Sequence, residues 1–179
     1  MIILVLGGAS SGKSRMAEEI CLQLGKPLYY LATMQNDCDE SRRKITSHRK
    51  LREGKNFETI EKPYCIKEID FPVKGTLLLE CLGNLLSNEM FREELDLCPN
   101  ERILDEINNV VLKNNHTVIV SNDIFSSLSG LNNESIAYVR NLAYLNKKIA
   151  KKADVVIEAV CSLKNIIKGE DICRSLDIF

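Results

Sequence analysis

The sequence predicts a three-layer α/β domain built on a mostly parallel central sheet. Two patterns carry that expectation. Short, near-continuous apolar runs such as "IILVL", "TLLLE" and "TVIV" alternate with longer stretches whose apolar residues recur at helical spacing. Such alternation is the pattern of strands crossed over by helices, with both sheet faces covered. The third observation is a glycine-rich loop joining the first apolar run to the first helical stretch. Size agrees: 179 residues with 45% hydrophobic and 27% charged content suit one domain, residues 1–179, with a full core.

In chain order, residues 2–6 read as a buried parallel strand ended by Gly7. Residues 13–25 read as a helix, with Met16, Ala17, Ile20, Cys21 and Leu24 on one face and Gly25 as its stop. "LYYLAT" after Pro27 is a second strand. A charged helix covers roughly 38–53 and ends at Gly54. "NFETIE" is a short alternating strand and "TLLLE" a buried one. Residues 81–98 and 100–114 form two helices broken at Pro99, followed by the buried strand "HTVIVSN". From 134 to 153, apolar residues at Ile136, Val139, Leu142, Ala143, Ile149 and Ala153 mark an amphipathic helix, and "DVVIEAV" returns as a strand. Residues 160–179 stand open between a last edge strand with a short helix and a tail.

Bulk chemistry excludes several function classes. The formal net charge of −1 offers no global field for nucleic acid or an anionic membrane. The 7 cysteines include no C-x-x-C pair and there are only 2 histidines, which argues against a structural zinc. An odd thiol count without a secretory leader points to a reducing, cytoplasmic setting, and the opening apolar run is too short for a membrane span. His116, at the head of a strand, reads as an edge residue, and Cys81 as a small hydrophobe packed behind a strand. Tyr29, Tyr30, Tyr138 and Tyr144 fit core or interface positions.

The loop Gly7-Gly8-Ala9-Ser10-Ser11-Gly12-Lys13-Ser14 matches G-x-x-x-x-G-K-[ST] at every specified position. Small residues let backbone N–H groups curl around phosphate oxygens, and the helix that follows turns its positive end toward them. Lys13 suits the β- and γ-phosphates of a nucleoside triphosphate, and the Ser14 hydroxyl suits Mg²⁺. The fold class is therefore expected to be that of the P-loop nucleoside triphosphatases. Glu80, at the end of "TLLLE", is the candidate acidic partner of the ion through water, unless it caps the next helix. Asp123, after "VIVSN", is a weaker candidate at the same sheet edge.

A second signal lies in "DESRRKITSHRKLR". On a helix, Ile45, His48, Arg49 and Arg52 fall at i, i+3, i+4 and i+7, one face. Two guanidinium groups beside an imidazole disfavour its protonation and hold an anion next to a nucleophilic nitrogen. Spacing alone leaves open a plain solvated basic face.

Taken in order, "GGASSGKS", "YLAT", "DESRRKITSHRKLR", "FETIE", "LLLECLGNLLSN" and "VIVSN" resemble the bifunctional adenosylcobinamide kinase / adenosylcobinamide-phosphate guanylyltransferase family of cobalamin assembly. The resemblance runs over roughly the first 122 residues. It implies a homotrimer that phosphorylates the aminopropanol hydroxyl of adenosylcobinamide with ATP or GTP. It further implies transfer of GMP from GTP to that phosphate through a guanylylated histidine. By position, His48 corresponds to that nucleophile, and Lys13 joins it as a catalytic residue. The loop residues, Ala32, Thr33, Met34, Arg49, Lys50, Leu51, Arg52, Glu61 and Glu80 correspond to nucleotide contacts, with Ser14 and Glu80 at the metal. The chain departs from the family pattern at Asp123, where glutamate is usual, at Phe125, where glycine is usual, and at "CSLKNIIKG", where a glycine-proline turn is usual. These departures fall on the acceptor side, where a bulky Phe125 would reshape the pocket. Two alternatives remain on residues alone: a P-loop kinase of another small metabolite, or a non-catalytic nucleotide-binding subunit.

Overall fold

The structure is a computed structural model that describes residues 1–36, 39–92, 95–124 and 132–178; the side chains of Glu40, Lys44, His48 and Leu51 also lie outside the description. A seven-stranded sheet carries the fold. Its strands are β1 (Ile2–Gly7), β2 (Leu28–Ala32), β3 (Phe57–Glu61), β4 (Thr76–Glu80), β5 (His116–Asn122), β6 (Val155–Val160) and β7 (Leu163–Lys168), in the order β3-β2-β4-β5-β1-β6-β7. All neighbours pair in parallel except β6 and β7. This is the mostly parallel α/β sheet that the apolar runs predict.

The alternation of side chains along β1 builds two cores. Ile3 and Val5 face one layer, where α1 (Lys13–Leu24) contributes Met16, Ala17, Ile20 and Cys21 and α6 (Glu170–Ser175) contributes Cys173. Leu4 faces the other, packed with Leu85 and Leu86 of α3 (Leu82–Met90), Ile103 and Ile107 of α4 (Asn100–Leu112) and Leu142 and Leu145 of α5 (Asn133–Lys152). Each such fully buried aliphatic side chain contributes about 1.5–3 kcal/mol. The remaining helix, α2 (Asp39–Arg52), connects β2 to β3 and differs in kind: Arg52 is its only buried side chain among those described.

The 81–98 helix is corrected. It ends at Met90, with Phe91 closing the last turn by a backbone bond to Ser87 O. Asp96 N then donates to Met90 O at 2.9 Å, and Arg102 on α4 reaches both Glu89 O and Asp96 Oδ2. Phe91, Leu95 and Leu97 are about half exposed, so the apolar spacing that suggested a longer helix does not mark a buried face. At the other end, the described part of 160–179, residues 160–178, takes the edge-strand alternative. Cys161 and Ser162 both sit at positive φ (52° and 63°), the two-residue turn that matches the twist of a hairpin. Neither is the glycine or asparagine that would signal it.

Cys65, Glu89 and Glu106 bring their ligand atoms within 4.8 Å of one another. Their contacts are those of a capped turn. Glu89 Oε1 accepts from Cys65 N at 3.0 Å and Glu106 Oε2 from Ile66 N at 2.9 Å, at the start of the 3₁₀ turn Ile66–Glu68. Arg92 Nη1 lies 2.8 Å from Cys65 Sγ and Arg102 Nη2 3.2 Å from Glu89 Oε2, so one cation already faces the thiol and another the Glu89 carboxylate. Among the described residues, no helix is long and apolar enough to cross a membrane.

Candidate functional site

Parallel register brings the carboxyl ends of β1, β2, β4 and β5 to one edge. Ala32 pairs with Glu80, Glu80 with Val120 and Gly7 with Asn122. Open α/β sheets bind ligands at this edge.

The loop after β1 is fixed by backbone. Asp123 N donates to Gly7 O at 3.0 Å, Ser11 N to Gly8 O at 3.3 Å, and Ser162 N, from the β6–β7 hairpin, to Ser11 O at 2.9 Å. Gly12 has φ +87° and its carbonyl accepts from Met16 N, so it is the left-handed entry to α1; a side chain there would also meet Ser162 Oγ at 2.7 Å. Gly7 is needed for proximity, because a Cβ would lie 2.7 Å from Ala159 O. Lys13 Nζ arches back to donate to Gly8 O at 2.9 Å.

Ser14 Oγ donates to Glu80 Oε1 at 2.8 Å, which joins the first turn of α1 to the end of β4. Glu80 Oε2 is buried with no hydrogen-bond partner. That burial pushes the carboxyl up to about 7, against the Ser14 hydrogen bond and the Lys13 charge that favour its ionised form. The alternative of Glu80 as a helix cap gains no support, since α3 starts with no side-chain cap. Cys81, next in sequence, is buried, and its thiol is pushed up to about 11, first by burial and then by Glu80.

Thr33 is fully buried and structural in its contacts. Its hydroxyl accepts from Cys81 N at 2.9 Å and lies within donor range of the Glu80 and Cys81 carbonyls, while Asn88 Nδ2 donates to Thr33 O at 2.7 Å. The end of β2 is thus pinned to the Glu80–Cys81 corner.

Helix α2 forms the opposite wall. Arg52 is 8% exposed and stacks its guanidinium 3.4 Å from the centroid of the Tyr30 ring, which in turn meets Phe57 edge-on. Burial, with Glu80 nearby, pushes the Tyr30 phenol above its usual range, so it stays neutral. Arg49 Nη2 pairs with Glu61 Oε1 at 2.5 Å on the surface. Just past α2, Lys55 Nζ bonds the fully buried Glu18 of α1 at 2.5 Å.

Between these walls lies a cleft of about 1170 Å³. Of the residues singled out in the sequence, Ala9, Ser10, Ser11, Gly12, Lys13, Ser14, Ala32, Met34, Arg49, Arg52, Glu61 and Glu80 line it. Gly7, Gly8, Thr33 and Lys50 do not; the first two shape the loop, Thr33 braces the corner and Lys50 is exposed on α2. His48 stands on α2 within the register of Ile45, Arg49 and Arg52, all cleft residues, while its side chain and that of Leu51 are outside the described residues. Phe125, too, lies outside them. Sequence reading missed Arg42, Thr46, Asn84 and Asn122 as lining residues. Asn122 had a signal, as the polar residue ending a buried strand; Asn84 had only its place one turn beyond Glu80.

Fold and loop together define the class: a P-loop α/β nucleotide-binding protein. Comparison with known proteins narrows it. A family model described as cobinamide kinase / cobinamide phosphate guanyltransferase matches residues 3–166, and the chain belongs to that family of transferases. It is 31% identical over 175 residues to a bifunctional adenosylcobalamin biosynthesis protein of Pseudomonas aeruginosa, covering 93% of this chain and 97% of that one. A counterpart in Salmonella typhimurium is 29% identical over 175 residues (87% and 93%), and one in Escherichia coli 36% identical over 104 residues (56% of each). A solved ATPase domain overlays with a TM-score of 0.49 at 10% identity, covering 88% of this chain and 68% of that chain.

Proposed function

We propose that this chain carries out both transfers of its family: phosphorylation of adenosylcobinamide by ATP or GTP, then transfer of GMP from GTP to the resulting phosphate. The observation that supports it best is the cleft itself, which brings the phosphate loop and the arginine face of α2 together around one space. A triphosphate laid on the loop has its terminal phosphates at Lys13 and Ser14 and extends toward α2.

In the first transfer, the acceptor hydroxyl oxygen bonds to the γ-phosphorus. The bond from that phosphorus to the β–γ bridging oxygen breaks, the diphosphate leaves with the electron pair, and the hydroxyl proton passes to solvent or to an ionised Glu80. Lys13 and the loop N–H groups meet the developing charge. Ser14 Oγ and Glu80 are hard oxygen donors, and the orphaned Glu80 Oε2 is the kind of atom that a cation or its water satisfies, so the set fits Mg²⁺. When bound, that ion neutralises charge on the β- and γ-phosphate oxygens.

In the second transfer, an imidazole nitrogen of His48 bonds to the α-phosphorus of GTP and pyrophosphate leaves. The acceptor's phosphate oxygen then bonds to that phosphorus, the P–N bond breaks, and the imidazole is restored. Arg49 and Arg52, on the same helical face, hold the anion for this step. Homotrimeric assembly and a cytoplasmic location belong to the same reading.

The test uses α-labelled GTP with purified protein. The expected result is an acid-labile label on His48, lost in His48→Asn, with kinase turnover retained in that variant. Absence of label on the folded wild-type protein would overturn the second transfer.

A further inference from the structure

A second depression, of about 480 Å³, lies beside the nucleotide cleft. One wall is α3 with its end, from Gly83 through Ser87 to Phe91; the other is the start of α5, with Ser135, Tyr138 and Val139. Asn84 lines both spaces, so the groove and the cleft meet at the first turn of α3, directly after Glu80. Gly83 marks the partition: a Cβ there would lie 2.8 Å from Tyr138 Oη, in the groove, and 3.0 Å from Asn122 Nδ2, in the cleft. Tyr138 Oη donates to Gly83 O at 3.2 Å and so fixes α5 against this turn.

We propose that this groove seats the hydroxyl-bearing arm of the acceptor, an amide-fringed chain entering from the α3–α5 side with its hydroxyl toward the γ-phosphate. The proposal rests on the kinase reading above. That transfer needs the hydroxyl in line with the β–γ bond. In that reading the nucleotide would run from the loop toward α2, which would leave the Asn84–Asn122 side of the cleft for the acceptor. The lining matches an amide-bearing chain. Phe91, 52% exposed, supplies apolar surface, Ser87, Ser135 and Asn84 supply hydroxyl and amide groups of both hydrogen-bonding senses, and Glu134 adds a carboxylate that can accept from amide N–H groups. At 480 Å³ the groove holds an arm and not a whole macrocycle, so the rest of a corrinoid would lie outside it.

Two single variants fill the groove from opposite walls, Ser87→Trp and Ser135→Trp, each checked by thermal melting. The KM for cobinamide is expected to rise about tenfold or more, while the KM for the triphosphate and acceptor-free labelling by GTP stay at wild-type values. On the wild-type protein, cobinamide is expected to slow hydrogen exchange at residues 83–91 and 135–139. An unchanged cobinamide KM in either folded variant, or no exchange protection in those segments, overturns the groove assignment. If wild-type protein neither phosphorylates cobinamide nor takes label from GTP, it is the functional reading that fails instead.

Discussion

The two walls of the cleft are built by opposite means. On the phosphate-loop side, backbone does the positioning: Gly7, Ser11 and Thr33 are tied to Asp123, Ser162 and Glu80 by main-chain bonds, and α1 buries an apolar stripe beneath them. On the α2 side the described side chains supply almost no apolar anchor. Apart from half-buried Ile45, the described contacts of α2 are ionic or aromatic: Arg52 on Tyr30, Arg49 to Glu61, and Lys55 to Glu18 just beyond its end. The first arrangement suits a phosphate held in one place. In the second, the described anchors of a charged helix gather toward its C-terminal end, which would suit the proposed second transfer, where this wall meets an α-phosphate and then an acceptor. Low burial and few apolar contacts are the physical marks of a segment of low local stability.

The largest expected effect comes from cutting the α2 tether. Lys55→Met leaves the Glu18 carboxylate buried without its cation, and Glu18 Oε1 already has no hydrogen-bond partner. Breaking such a pair on one side costs about 3 kcal/mol, read by denaturant unfolding. Pairing it with Glu18→Gln should return most of that loss, because the stranded charge is gone. A Lys55→Met protein as stable as wild type would show that α2 is held elsewhere.

Next is Gly7→Ala, which probes the backbone wall. Its Cβ would meet Ala159 O at 2.7 Å, so the loop or β6 must shift, at about 2 kcal/mol. Gly8→Ala is the contrast: nothing lies within 4 Å of its Cβ. That variant should melt within about 0.5 kcal/mol of wild type. Equal destabilisation by both would mean that the loop is not braced by β6 as described.

These contrasts also show what was legible in the sequence. β1, the loop and α1 are written locally, in an apolar run, fixed glycines and a 3.6-residue stripe, and their predicted limits differ from the structure by one residue. Phe91 and residues 95–98 continue the apolar spacing but lie beyond the helix end at Met90, where Arg102, on another element, gathers Glu89 and Asp96. The β6–β7 turn uses Cys161 and Ser162 at positive φ, residues that carry no turn signal, and it is this turn that braces Ser11 and Gly12. Spacing placed Arg49 and Arg52 on the cleft face. The Arg52–Tyr30 stack and the Glu18–Lys55 pair join residues 22 and 37 positions apart, and nothing local encodes such pairings.

A pH series sharpens the corner where the two walls meet. Glu80 is pushed up to about 7 in the folded protein, from an ordinary 4.5 in the unfolded chain. Between those values the unfolded state has lost its proton while the folded state keeps it, so unfolding releases one proton. Stability therefore falls as pH rises from 4.5 to 7, by about 1–2 kcal/mol once the partial exposure of the residue is allowed for. Glu80→Gln should flatten that part of the profile; an unaltered slope would assign it to another group.

The smallest stability effect should come from Arg49→Ala, and it separates holding the fold from holding the ligand. The Arg49–Glu61 pair is short at 2.5 Å, yet both side chains are 61% exposed. Water and salt screen such a pair, and two long side chains lose rotamer freedom to make it, so its removal should cost about 0.5 kcal/mol or less. Binding is another matter. In the free protein Glu61 occupies the guanidinium; an anion entering the cleft can take its place and form a charge-assisted bond. Arg49→Ala should therefore weaken GTP binding about tenfold, and more at low salt than at high, while the melting curve barely moves. Arg49→Lys keeps the charge without the planar fork and should recover only part of the affinity. If Arg49→Ala instead unfolds the protein as readily as Lys55→Met, the ion pairs of α2 are all structural, and the distinction between the two walls disappears.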